Sequence, residues 1–342
     1  MVLIASVLRF GVTGVDVFFC LSGFLITGIL YDSLPEKGFF RKFYARRVLR
    51  IFPLYYGVLF CVLLTAVFLG KQYHLQLLSL ALYLQNTGLI AQPLWAYSGP
   101  SGLPLPHFWS LAVEEQFYCV WPVLVFLLRR RRAILGASLS ALVICPVLRY
   151  VLLMHGYVYY QISQSTLCRA DSLLAGAALA MLLRGALHDR TLRIAPWLLA
   201  TGVGIIVACS SFGGGMIASS AASLAINYTG LSLASAGLLG LAMRPGRVRT
   251  CFSARVLRTL GKYSYGLYVL HLILFVFLRD PLREVVGHFT TSKLAGVIIP
   301  GLGILAASML AAYLSYQLYE KRFLRLKRYF DYDRAGTRGV AA

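Results

Sequence analysis

Acidic side chains are scarce in this sequence: 12 Asp and Glu stand against 33 Lys and Arg in 342 residues. Charged residues of both signs make up only 13%, whereas an ordinary globular domain carries about 25%. That deficit excludes most water-soluble folds. Cysteine is present seven times, but no pair has metal-ligand or redox spacing. Cys20, Cys61, Cys119, Cys145 and Cys209 lie inside apolar runs, where a thiol acts as a small hydrophobe; no metal site is expected. Nor is the start of the sequence expected to be a secretory leader. Met1 to Leu8 is apolar, with no basic region before it and no small-residue cleavage site after it.

What the sequence has in excess is hydrocarbon, at 59% hydrophobic residues. The excess falls in runs near 10–30, 51–69, 75–92, 109–128, 133–153, 166–183, 194–212, 223–243, 263–280 and 294–318. Most are about 20 residues long, the length of helix that crosses a hydrocarbon core. The fold class expected is all-α, a polytopic integral membrane helical bundle embedded in a lipid bilayer. The formal charge of +21 then orients helices and implies no nucleic-acid partner. Of the 33 basic residues, 26 lie in five segments: 31–50, Arg129 to Arg132, 184–193, 244–262 and the tail from Lys321. The positive-inside rule puts these segments in the cytoplasm.

Ten crossings do not fit that charge pattern. If 51–69 and 75–92 both spanned, Arg129 to Arg132 would lie outside. The stretch 75–92 is interrupted by Gln76, Gln85, Asn86 and Gly88, and helix-breaking backbone at membrane depth needs protein or a wet cavity around it. It is expected to be re-entrant or interfacial. Nine spans ending in the cytoplasm then require a start outside, and Met1 to Phe10 is expected to be the end of, or the loop after, a first helix that precedes the sequence.

Ionisable groups within spans are costly and mark functional candidates. The first run holds Asp16, the fourth Glu114 and Glu115, and the fifth Arg149. Arg169 and Asp171 open the sixth, and His271 lies in the ninth. Pairing between helices is the structural alternative. Adjacent Glu114 and Glu115 point about 100° apart on a helix, so one at least is expected to face a cavity. Before the second span, 39–50 has helical pattern: Lys42, Arg46 and Arg50 form a basic ridge opposite Phe40, Tyr44, Val48 and Ile51. That pattern suits an interfacial helix, while Arg47 and Arg50, at i and i+3, could hold a polyphosphate.

Six segments together resemble the acyltransferase type 3 family of bacterial membrane O-acetylases. They are GVDVFFCLSGFLITGIL at 14–30, FYARRVLRIFPLYY at 43–56, HFWSLAVEEQFYCVWP at 107–122, RADSLLAGAALA at 169–180, LGKYSYGLYVLH at 260–271 and SYQLYEKRFLRLKR at 315–328. The resemblance implies ten helices with the first missing here, giving a transmembrane domain over 1–328 and a short cytoplasmic tail at 329–342. It implies transfer of an acyl group from acyl-CoA, usually acetyl-CoA, to a hydroxyl of an exported saccharide such as lipopolysaccharide O-antigen or peptidoglycan. No tightly bound cofactor is implied. The location implied is the bacterial inner membrane.

Carried over by residue, the donor's phosphates fall to Arg47 and Arg50, and the membrane acids to Asp16, Glu114 and Glu115. Glu115 and Asp16 are the expected positioning or proton-relay groups; Trp109, Tyr118 and His271 are weaker candidates for substrate contact. The family's histidine lies about ten residues after an arginine at the end of the first helix, a slot that neither His107 nor His271 fills. The chain as it stands is therefore expected to be inactive or badly impaired. Midplane acids with a re-entrant segment also suit a transporter or flippase, and the missing histidine suits a non-catalytic helper subunit. The topology has a direct check: alkaline phosphatase fused after Ala342 should be inactive, and inserted in 154–165 it should be active. The reverse pattern would overturn the orientation.

Overall fold

A computed structural model of the chain describes residues 2–87, 103, 105–212 and 220–332, with the side chains of 2–12 and 212 excluded. The expectations for 88–92 and for the tail beyond 332 fall outside the described residues. Among the described residues no strand occurs, and nine helices are long and apolar enough to cross a membrane. The fold is all-α and multi-pass.

The helices are α1 (Val2–Asp32), α2 (Phe39–Phe68), α3 (His74–Ala81), α4 (Trp109–Leu128), α5 (Arg131–Met154), α6 (Tyr159–Gln164) and α7 (Thr166–Leu183). They continue as α8 (His188–Phe212), α9 (Ala221–Met243), α10 (Arg247–Phe252), α11 (Arg255–Phe289), α12 (Ala295–Ser315) and α13 (Lys321–Arg325). A π turn, Tyr316–Glu320, joins the last two, and a 3-10 turn, Leu326–Phe330, follows. The chain divides into two compact units. One is built from residues up to Phe39 together with Ser110–Phe252; the other from Phe40–Trp109 and Ser253–Tyr332.

In the first unit α7 is the central helix, packed on α1, α5 and α9 and buried along most of its length. Its sequence explains this place: Ala175, Gly176, Ala177, Ala178 and Ala180 let neighbouring backbones come close. A Cβ built on Gly176 would lie 1.8 Å from the Cys20 carbonyl oxygen, and one on Gly23 would lie 1.8 Å from that of Leu173. Hydrogen at both positions is what lets α1 and α7 touch. The outward faces of α5 and α8 carry exposed Val143, Ile144, Val147, Val203 and Val207, an apolar surface suited to lipid.

In the second unit the described residues after α2, 69–87, form no span. Helix α3 has eight residues, about 12 Å at 1.5 Å per residue, too short to cross. It is tied back to α2 by the Tyr55 hydroxyl, which donates to the Leu80 carbonyl at 2.8 Å, and by that of Tyr56, which donates to Ala81 at 2.8 Å. Tyr83 then turns the chain at φ 54°, a left-handed conformation rare for an aromatic residue. Its ring stacks 4.3 Å from Tyr55, so packing holds the strained backbone.

Three expectations need correction. Residues 39–50 are not a separate interfacial helix but the first turns of α2, whose 30 residues run without a break. Its buried side is also different: Phe39, Phe43, Ile51, Leu54 and Tyr55 are buried while Val48 is exposed. Of the apolar ridge Phe40, Tyr44, Val48 and Ile51, Ile51 alone is buried, while Phe43 lies on the same side as Arg47 and Arg50 by its i+4 and i+7 spacing. Near the start, helix extends to Val2, where an end or a loop was expected.

Substituting leucine at Gly176 should lower stability in detergent by about 1–3 kcal/mol or more, the scale of overpacking. Gly204, whose Cβ would meet nothing within 4 Å, is the control. Equal melting temperatures for Gly176→Leu and Gly204→Leu would contradict the close α1–α7 contact.

Candidate functional site

The polar residues of the first unit form two connected groups. In one, Arg169 on α7 donates to the Asp16 carboxylate on α1 at 2.7 Å, both side chains being 2% exposed. The Ser172 hydroxyl donates to the same carboxylate oxygen at 2.8 Å and lies 2.9 Å from the Ser232 hydroxyl of α9. Arg149 on α5 pairs with Asp171 at 2.8 Å, with neither side chain exposed. Its other two nitrogens donate to the carbonyls of Ala225 at 2.7 Å and of Cys168, and the nitrogen that pairs with Asp171 also lies 2.6 Å from the Thr229 hydroxyl. Thr229 donates in turn to Asp171 at 2.9 Å. The Arg169 guanidinium lies 4.0 Å from the Tyr228 ring centroid, and the Tyr228 hydroxyl donates to Tyr159 at 2.8 Å.

This assembly follows from periodicity. Arg169 and Ser172, three apart on α7, present to one side, and Asp171, two from Arg169, presents to another. One helix therefore takes a carboxylate from α1 and a guanidinium from α5. Two cations and two anions converge, each paired with an opposite charge, and Arg149 is hydrogen-bonded through all three of its side-chain nitrogens; pairing is what makes buried charge tolerable.

The second group runs from α4 to α1. Glu114 accepts a hydrogen bond from the Tyr118 hydroxyl at 2.8 Å, and that hydroxyl lies 2.5 Å from the Ser22 hydroxyl. Trp121 Nε1 donates to the Thr27 hydroxyl at 2.8 Å. Glu114 and Glu115 are both buried. The i, i+4 spacing of Glu114 and Tyr118 places them together. A carboxylate joined to two hydroxyls in series can accept a proton and pass it along the chain, the chemistry needed to activate an acceptor hydroxyl.

The second unit holds the other candidates. Arg47 and Arg50 are half-buried on the inward side of α2, and the Arg47 guanidinium lies 5.9 Å from the Phe43 ring centroid. The neighbouring Arg46 pairs with Asp331 at 2.5 Å. Trp109 opens α4, half-buried. His271 bonds through Nδ1 with the Tyr268 carbonyl at 2.7 Å, and its ring lies 5.1 Å from that of His107. His107 Nε2 meets the Val269 carbonyl at 3.3 Å, and the Tyr268 hydroxyl donates to the His107 carbonyl at 2.7 Å. The two histidines are 164 positions apart, so only the fold shows them together.

Asp16, Glu114, Glu115 and Tyr118 thus lie in the first unit, and Arg47, Arg50, Trp109 and His271 in the second. Ser22, Ser172, Tyr228 and Thr229 were missed by the sequence reading because hydroxyls are common in membrane helices. Their spacing near Asp16, Asp171 and one another was the only available signal.

A family described as "Acyltransferase domain" matches residues 2–317 of the chain. A putative peptidoglycan O-acetyltransferase of Bacillus subtilis, YrhL, is 31% identical over 343 residues, covering 91% of this chain and 50% of the relative. The O-acetyltransferase OatA of Staphylococcus aureus is 30% identical over 292 residues, covering 79% and 47% respectively. The peptidoglycan O-acetyltransferase OatA of Listeria monocytogenes is 34% identical over 182 residues, covering 50% and 29%. The chain spans about half the length of the first two relatives. No solved structure shows a significant match.

The buried pairs can be tested by making each charge an orphan. Arg149→Met should cost about 3–5 kcal/mol, as breaking a buried pair does, and Asp171→Leu a similar amount. The double variant should be more stable than either single one in detergent unfolding. Simple additivity would show that the two side chains are not coupled.

Proposed function

The chain belongs to the acyltransferase type 3 family, and on that premise we propose that it O-acetylates a saccharide of the bacterial cell envelope. The donor is acetyl-CoA from the cytoplasm, and the location is the cytoplasmic membrane with the C-terminus inside. Peptidoglycan is the acceptor favoured by the names of two relatives, in preference to lipopolysaccharide. The observation that carries the reading is a buried carboxylate wired to hydroxyls, Glu114 to Tyr118 to Ser22, inside a family match that covers 2–317.

In the reaction, the acceptor hydroxyl oxygen attacks the thioester carbonyl carbon. A C–O bond forms, the C–S bond breaks, and the hydroxyl proton passes to a base while the thiolate leaves and is protonated. Glu115 and Glu114 are assigned to proton acceptance or relay, with Tyr118 oriented by Glu114. Asp16, held by Arg169 and Ser172, is assigned to positioning α1 against α7. Arg47 and Arg50 bind the donor's phosphates, for which paired guanidiniums are well suited. Trp109 and His271 are assigned to substrate contact.

Membranes containing the protein, given radiolabelled acetyl-CoA and peptidoglycan precursors, should transfer label to glycan, at the low rate expected of the chain as it stands. Whatever the absolute rate, Glu115→Gln should lower it about 100-fold or more, the scale of general acid–base catalysis. Arg47→Ala should mainly raise the KM for the donor. Glycan movement across the membrane without label would replace the enzyme reading with transport.

A further inference from the structure

The family match ends at residue 317, but the chain beyond it returns to α2. The π turn Tyr316–Glu320 carries the last long helix into α13 and the 3-10 turn. Single-turn π segments are frequent at functional sites. Two anchors fix the path. At one end Glu320, 5% exposed, accepts a hydrogen bond from Ser315 at 2.9 Å, and the Tyr319 hydroxyl lies 3.6 Å from a Cβ built on Gly57 of α2. At the other end Arg46 of α2 donates to the Phe330 carbonyl at 3.3 Å and to Asp331 at 2.5 Å, with its guanidinium 5.2 Å from the Tyr332 ring centroid.

Between these anchors lies Lys327. Of the basic residues from Lys321 to Arg328 it alone is half-buried; Lys321, Arg322, Arg325 and Arg328 are exposed. Its electrostatic neighbours are Arg46, Arg47 and Arg50. Among the described residues no carboxylate pairs with it. Arg50 also acts on Glu320, so four cations gather where two carboxylates, Glu320 and Asp331, stand nearby. A half-buried ammonium set among guanidiniums is unfavourable by itself, and a polyanion bound there would reverse the sign of its contribution.

We infer that Lys327 is a further binding residue for the donor's phosphates, supplied by the chain after the last long helix and kept near Arg47 and Arg50 by the anchors at Glu320 and Arg46. This rests on the donor reading above. The ligand chemistry is a phosphate polyanion, and the test separates a soluble donor from a lipid headgroup.

The full chain is purified into nanodiscs of zwitterionic lipid, and binding of CoA and of adenosine 3′,5′-bisphosphate is measured by calorimetry. Lys327→Gln should weaken both about tenfold, in keeping with loss of one charge-assisted contact. Lys327→Arg should stay within about twofold of the unaltered protein, and Arg328→Gln, an exposed neighbour, should bind as the unaltered protein does. Unchanged size-exclusion profiles and melting temperatures establish that the variants are folded. If Lys327→Gln and Arg328→Gln bind CoA equally well, the inference fails while the donor reading stands. If the unaltered chain binds neither ligand, the donor reading fails and takes this inference with it. If Lys327→Gln leaves CoA affinity intact but lowers retention of phosphatidylglycerol, the residue serves a lipid headgroup and the inference is overturned.

Discussion

Two buried arginine–aspartate pairs organise the first unit. Arg169 reaches α1 through Asp16, Arg149 reaches α7 through Asp171, and Ser232 and Thr229 extend the network to α9. Charged groups within membrane spans are costly, so the four are tolerable only together. Small residues along α7 allow the close approach, and the ion pairs determine which faces meet. Packing alone would let an Ala- and Gly-rich helix rotate or slide. The charges specify one register.

The second unit is organised by aromatic stacking and hydrogen bonds to carbonyls. Tyr55 lies between Tyr83 and Phe108, with ring centroids at 4.3 and 5.1 Å. Gln85 Nε2 donates to the Phe108 carbonyl at 2.8 Å, and the Tyr265 hydroxyl donates to that of Ile51 at 2.6 Å. The hydroxyls of Tyr55 and Tyr56 serve the Leu80 and Ala81 carbonyls where α3 stops, and backbone satisfied by protein is the condition for irregular chain at membrane depth. The short helix α3 and the turn at Tyr83 are stable for that reason.

Much of the fold was legible in the sequence because hydrocarbon thickness and the positive-inside rule act on linear stretches. Nine spans and one short segment could be read from run length, polar interruptions and the placement of arginines. The pairing of Asp16 with Arg169 could not, since 153 positions separate them and several cations were available. The inward side of α2 was misread because Phe40, Tyr44 and Val48 look as apolar as Phe43; only packing distinguishes a lipid-facing stripe from a buried one. The meeting of His107 and His271 was likewise invisible, depending on how α11 lies against residues 105–108.

The ion-pair network also has a consequence for biogenesis. Asp16 and Arg149 both precede α7 in the chain, so each partner of its two charges has been synthesised before Arg169 and Asp171 emerge. A helix that would enter lipid poorly alone can then be captured by α1 and α5 as it leaves the ribosome. Thr229 and Ser232 on α9 arrive last and close the network. The order of synthesis matches the order in which the charges can be neutralised, so no stage requires an unpartnered α7 to wait in the bilayer.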